Sequence, residues 1–139
     1  MVEVEKNRSI EIEVEAAKVK PFVVVGIPAF NEERTIAKAV LESQRFADKV
    51  VVCDDGSSDM TAEIAERLGA DVARHERNLG YGAAIQSLFR RARELDADVL
   101  VTLDMDGQHD PSEVSDVVKP IVEGKAARRI VEILRWKLG

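Results

Sequence analysis

Cysteine is nearly absent. Cys53 stands alone in 139 residues, so no internal disulfide can form, and the chain reads as one that folds in a reducing compartment. Long apolar runs are missing too. No stretch approaches the roughly 20 residues needed to span a bilayer, and no signal-peptide pattern is present. The expectation is a cytoplasmic protein, or one resting on the cytoplasmic face of a membrane. The third absence is an excess of basic charge. Lys and Arg number 20 against 26 Asp and Glu, and the net charge of −6 argues against general nucleic-acid binding. What remains is 45% hydrophobic and 33% charged, in a length that suits one domain with a real core.

The first twenty residues differ from the rest. Ile10-Glu11-Ile12-Glu13-Val14-Glu15 alternates strictly, the pattern of a half-exposed edge strand, and Pro21 separates this arm from the domain proper. From Phe22 onward a βα rhythm sets in. Phe22 to Ile27 is an apolar strand closed by Pro28. The next helix is expected from Asn31, as cap, to Ser43. Val50 to Cys53 is the second strand, and Ser58 is placed to cap a helix that Gly69 ends. A short strand over Asp71–Arg74 precedes Asn78-Leu79-Gly80-Tyr81-Gly82. Then come a helix with Ile85, Leu88, Phe89, Ala92 and Leu95 at helical spacing, and the strand Val99–Leu103. Asp110-Pro111-Ser112-Glu113 carries the residues of a helix start. Four strands alternating with helices predict an open, mostly parallel, Rossmann-like α/β sheet with helices on both faces.

In such a sheet, ligands bind beyond the carboxyl ends of the strands. Three of those ends carry unusual residues: Pro28-Ala29-Phe30-Asn31-Glu32, Asp54-Asp55-Gly56-Ser57-Ser58-Asp59 and Asp104-Met105-Asp106-Gly107-Gln108-His109. In the last, Asp104, Asp106 and Gln108 offer hard oxygen ligands at alternating positions, the type that suits Mg²⁺ or Mn²⁺. One acidic loop alone is ordinary turn chemistry. Two acidic loops on one rim concentrate negative charge, which is destabilising unless a cation or a donor-rich ligand sits there.

These motifs, in this order and with Asn78-Leu79-Gly80 between them, resemble the nucleotide-sugar half of family-two glycosyltransferases. Within that family they are most similar to the dolichyl- or polyprenyl-phosphate mannose and glucose synthases. The resemblance covers roughly Phe22 to Gly124. It implies a glycosyltransferase A-type fold and inverting transfer from a UDP- or GDP-sugar, with a lipid phosphate at a membrane surface as acceptor. It further implies that Pro28, Ala29, Phe30 and Glu32 line the nucleotide pocket and that Asp54 and Asp55 hold the base or ribose. Gly80 would allow close backbone approach to the donor, and Asp104, Met105 and Asp106 would meet the nucleotide-sugar. Asp104, Asp106 and Gln108 would hold the divalent ion.

The division expected is an arm over 1–20, a nucleotide-sugar-binding domain over 21–124 and a basic amphipathic helix over 125–139. Ile130, Val131, Ile133, Leu134 and Leu138 would supply that helix's apolar face and Arg128, Arg129, Arg135 and Lys137 its charge. Family members continue for about another hundred residues, which supply the acceptor surface and the catalytic base. Here no residue can be assigned as that base. The chain therefore reads as shortened to the donor-binding half, and exposed apolar surface makes self-association an expectation.

Three rivals carry different predictions. A strand followed by Asp-x-Asp-Gly also fits the nucleophile loop of haloacid-dehalogenase-type phosphatases, but that loop sits near the amino end of its family. A calcium-binding helix–loop–helix wants Gly at its sixth position and Glu at its twelfth, where this chain has His109 and Ser115. The rival from another class is a catalytically inactive nucleotide-sugar-binding or assembly module.

Overall fold

The computed structural model describes residues 10–13, 21–109, 128–131 and 135–138, with side chains from 21 to 104. In chain order the elements are β1 (Ile10–Glu13), β2 (Val23–Ala29), α1 (Ile36–Ser43), β3 (Lys49–Asp54), α2 (Thr61–Arg67), β4 (Asp71–Arg74), α3 (Tyr81–Glu94), β5 (Val99–His109), β6 (Arg128–Val131) and β7 (Arg135–Leu138). The main sheet runs β4-β3-β2-β5-β7, and every neighbouring pair in it is parallel. β1 pairs antiparallel with β6 in a separate two-stranded sheet.

The central strand β2, the middle of β3 and the first half of β5 are apolar because both faces of the sheet are covered there. Val23, Val25 and Ile27 of β2 pack with Val50, Val52, Val99, Val101 and Leu103 under Ile36 and Val40 of α1 and Ala65 of α2. The alternate residues Val24, Val51, Cys53 and Leu100 face Ala84, Ile85, Leu88 and Ala92 of α3. Of the helices among the described residues, two thus lie on one face and one on the other. The chain first steps outward through β2, β3 and β4, then returns by α3 to place β5 on the far side of β2. That reversal leaves a crevice at the carboxyl ends of β2 and β5.

Gly26 sets how closely α3 can approach. A Cβ there would lie 3.2 Å from Leu88 Cδ2 and 3.2 Å from Leu100 Cδ1, so the bare backbone gives both leucines their seat. Among the described residues, no helix is long and apolar enough to cross a membrane.

Four local expectations change. α1 begins at Ile36, not Asn31. Asn31 takes φ +51 and spends its side-chain oxygen on the Ser58 N–H instead of on a helix end. α2 begins at Thr61, and Asp59, not Ser58, accepts a first-turn N–H, that of Thr61. The acidic stretch after Leu103 is no loop: β5 runs on to His109, with a register break between Asp104 and His109. The helix expected over 125–139 is replaced, where described, by strands β6 and β7. β7 satisfies the backbone groups along the outer edge of β5, and β-branched Ile130 and Val131 suit a strand as well as a helix face. The expected helix start at 110–113 lies outside the described residues.

Leu88 is fully buried against the sheet. Leu88→Ala is expected to cost about 3 kcal/mol in guanidinium unfolding, and Leu41→Ala, at a half-exposed position, less than about 0.5 kcal/mol.

Candidate functional site

The alternation along each strand carries past the end of the sheet. Pro28 and Phe30 continue the α3-facing set begun by Val24 and Gly26, Asp55 continues Val51 and Cys53, and Asp104 continues Leu100 and Thr102. Where the first two of these series run out beneath the start of α3 there is a hollow of about 190 Å³. Pro28, Ala29 and Phe30 line it from β2, Asp55 from β3, Asn78 and Gly80 from the following loop, and Tyr81 and Ala84 from α3. Phe30 and Tyr81, the aromatic residues of that lining, are both about half exposed.

The loops after β2 and β3 are laced together, which holds one wall against the other. The Asn31 N–H donates to Ser57 Oγ at 2.8 Å and the Ser58 N–H to Asn31 Oδ1 at 2.9 Å. The Glu32 N–H donates to Thr61 Oγ1 at 2.8 Å, and the Met60 N–H to a Glu33 carboxylate oxygen at 3.0 Å. The Thr61 hydroxyl in turn donates to Asp59. The Asp55 N–H donates to the Ala29 carbonyl at 2.8 Å. Gly56 sits where these loops press against Arg77 and Asn78 of the next. Its φ is +79, and a Cβ would lie 2.3 Å from the Arg77 carbonyl carbon.

Asp55 is buried, and its carboxylate accepts three hydrogen bonds. Leu79 N–H and His75 Nδ1 reach Oδ1, each at 2.8 Å, and Gly80 N–H reaches Oδ2 at 3.0 Å. Burial pushes its pKa up. The donors from Leu79, His75 and Gly80 outweigh that and hold the group below its ordinary value of 3.8. Asp104 does not line the hollow, but its Oδ1 accepts the hydroxyl of Tyr81, a lining residue, at 2.8 Å, which joins it to the site through the first residue of α3.

The other predicted residues divide. Asp54 is buried with opposite alternation, its Oδ1 accepts the Ser57 N–H at 3.2 Å, and it does not line the hollow. Glu32 also stands outside the lining; its Oε2 accepts the Thr35 hydroxyl at 3.0 Å. Met105, Asp106 and Gln108 belong to β5, and their side chains lie outside the described residues. Among the described residues no group of three or more His, Cys, Asp or Glu side chains could hold a metal ion. Tyr81 carries no functional signal in the sequence. Its partner is 23 residues away in the chain, and only the alternation shared by Asp104 and the α3-facing set could have pointed to it.

Residues 24–135 match the profile of the family described as Glycosyl transferase family 2. An uncharacterized protein of Methanocaldococcus jannaschii is 40% identical over 122 residues, covering 87% of this chain and 49% of its own. The UDP-N-acetylglucosamine–dolichyl-phosphate N-acetylglucosaminyltransferase of Methanococcus voltae is 35% identical, covering 69% of this chain and 45% of its own. Among solved structures, glucosyl-3-phosphoglycerate synthase from Mycobacterium tuberculosis, in complex with Mn²⁺, UDP and glucosyl-3-phosphoglycerate, aligns with a TM-score of 0.62 at 30% identity. It covers 80% of this chain and 43% of its own. The chain thus spans about half the length of the curated relatives it matches.

The geometry sets two expectations. Gly56→Ala is expected to cost at least about 2 kcal/mol by chemical denaturation, since the backbone sign and the Arg77 contact both oppose a side chain. Asp55 binds its proton more weakly folded than unfolded, so the stability it contributes is present above pH 3.8 and is lost as pH falls below that value. Denaturation midpoints at neutral pH and at about pH 3 are therefore expected to converge in Asp55→Asn relative to the wild type, with the variant weaker at neutral pH.

Proposed function

The chain belongs to glycosyl transferase family 2, and on that premise we propose that it binds a UDP-sugar in the hollow and takes part in transferring the sugar to a polyprenyl phosphate. The observation that carries this reading is a hollow lined by Asp55 and Tyr81 at the strand-order reversal, with Tyr81 in turn bonded to Asp104. The aromatic faces of Phe30 and Tyr81 suit a planar base between them. Asp55, not Asp54, is the carboxylate placed to accept from base or ribose donors. Gly80 is the N-cap of the fourteen-residue α3, whose first-turn N–H groups lack helical partners and so suit a diphosphate.

The similar solved structure holds UDP, which supports a UDP- over a GDP-sugar. It also holds Mn²⁺, and the Asp104-x-Asp106-x-Gln108 spacing supplies hard oxygen donors that fit such an ion or Mg²⁺. When bound, the ion offsets charge building on the departing diphosphate. Tyr81 holds Asp104 through Oδ1, which joins that carboxylate to the site. In the transfer, the bond from the anomeric carbon to the diphosphate oxygen breaks as an acceptor oxygen bonds to that carbon. A lipid phosphate brings that oxygen already deprotonated, so this acceptor asks for no catalytic base. The relative from Methanococcus voltae, named for a dolichyl-phosphate acceptor, supports that choice.

Calorimetry with UDP and Mn²⁺ is expected to show binding that weakens by at least about tenfold in Asp104→Ala. With UDP-N-acetylglucosamine or UDP-glucose as donor, dolichyl phosphate is the expected acceptor and 3-phosphoglycerate the control. Absence of UDP binding overturns the donor assignment. Transfer to 3-phosphoglycerate alone overturns the acceptor.

A further inference from the structure

Behind the hollow, polar contacts join β3, the end of β4 and α3. His75 follows β4, is tied to β3 by its N–H on the Asp54 carbonyl at 2.9 Å, and is only 12% exposed in its side chain. Nδ1 lies 2.8 Å from Asp55 Oδ1 and Nε2 lies 2.7 Å from Ser87 Oγ, with Cys53 Sγ 3.6 Å from the same Nε2. The order Asp–His–Ser is that of a hydrolytic triad, but the surroundings are not. Ser87 sits midway along α3 and does not line the hollow. Cys53 is no nucleophile either: burial pushes its thiol pKa up to about 11.

What the imidazole does is set by which atoms it faces. Asp55 can only accept, so Nδ1 must carry a hydrogen, and Nε2 of a neutral ring then accepts from the Ser87 hydroxyl. Donation to Oδ1 fixes the rotation of the Asp55 carboxylate. Both of its oxygens are thereby aimed at the Leu79 and Gly80 N–H groups, and Gly80 is where α3 begins. The next residue is Tyr81, which reaches Asp104. We propose that His75 is a positioning residue for the donor site, holding Asp55 so that Asp55 holds the Leu79–Gly80 backbone and, with it, the start of α3 and Tyr81. The link to donor binding rests on the function proposed above; the hold on the backbone does not.

The test compares two amides on the full chain. The Asn side-chain amide falls where Nδ1 lies and can still donate to Asp55, whereas the longer Gln amide falls near Nε2 and reaches only Ser87. In His75→Gln, hydrogen exchange at the Leu79 and Gly80 amides is expected to quicken by about tenfold or more. UDP–Mn²⁺ affinity in that variant is expected to drop by about tenfold. His75→Asn is expected to keep both within about twofold, with the two variants alike in thermal midpoint. Wild-type amide exchange and UDP affinity in His75→Gln overturn the proposal. So do parallel losses in both variants that track their thermal midpoints. The unmutated protein offers a second check: an imidazole ¹⁵N spectrum with Nδ1 unprotonated overturns it too. If the wild type binds no UDP, the donor role fails together with the function proposed above, and faster exchange in His75→Gln marks that failure as distinct from loss of the backbone hold.

Discussion

Side chains on a strand alternate between faces, and in a parallel sheet covered on both sides each alternation series has one helix layer to meet. That constraint organises everything at the rim. α3 covers one face of β2, β3 and β5, and the residues of matching parity emerge just beyond its first turn. Inside the sheet this series is Val24, Val51 and Leu100, and it contributes cohesion. A few residues on it is Phe30, Asp55 and Asp104, and it makes a surface with chemistry. The same backbone rule thus builds both the core and the site, and it explains why Asp55 reaches the hollow while its neighbour Asp54 turns to cap a loop.

Charge at that rim is managed by backbone donors and not by ion pairs alone. The three donors to Asp55 keep a buried carboxylate ionised, and the tie between Asn31 and the serines after β3 closes the loops without using either acidic strand end. Among the described residues the other ion pairs lie away from the hollow, and Arg91–Asp71 at 2.6 Å is the most buried of them. Arg74 with Glu66 and Arg91 with Glu94 join exposed side chains, where such pairs contribute little. Of the polar interactions at the rim, those to Asp55 are part-buried, whereas the Asn31–Ser58 and Tyr81–Asp104 bonds are exposed.

Much of this fold was legible in the sequence because its elements are short-range patterns. The apolar cores of β2, β3 and β5 follow from uncharged or β-branched runs, and α3 from its 3.6-residue stripe. Helix starts were not legible. Asn31 and Ser58 are good caps in isolation, but here they bond each other across 27 residues, and no local rule sees that. The helix expected at 128–131 and 135–138 failed for a related reason: an amphipathic pattern gave way to pairing with β1 and with the edge of β5, both distant in sequence. For the site, the rim was readable from strand ends, and Pro28, Ala29, Phe30, Asp55 and Gly80 do line one hollow. Tyr81 and His75 were not readable, because their roles depend on which face α3 covers.

The missing side chain at Gly26 acts as a shim of zero thickness between α3 and the sheet. The helix resting on it carries Tyr81 at one end, so the gap between that ring and Phe30 is gauged from inside the core. A lineage could widen or narrow its ligand groove by exchanging one interior residue about two turns of α3 away from the mouth, leaving every contacting group untouched. Selection on substrate size would then leave its mark in the packing and not at the surface.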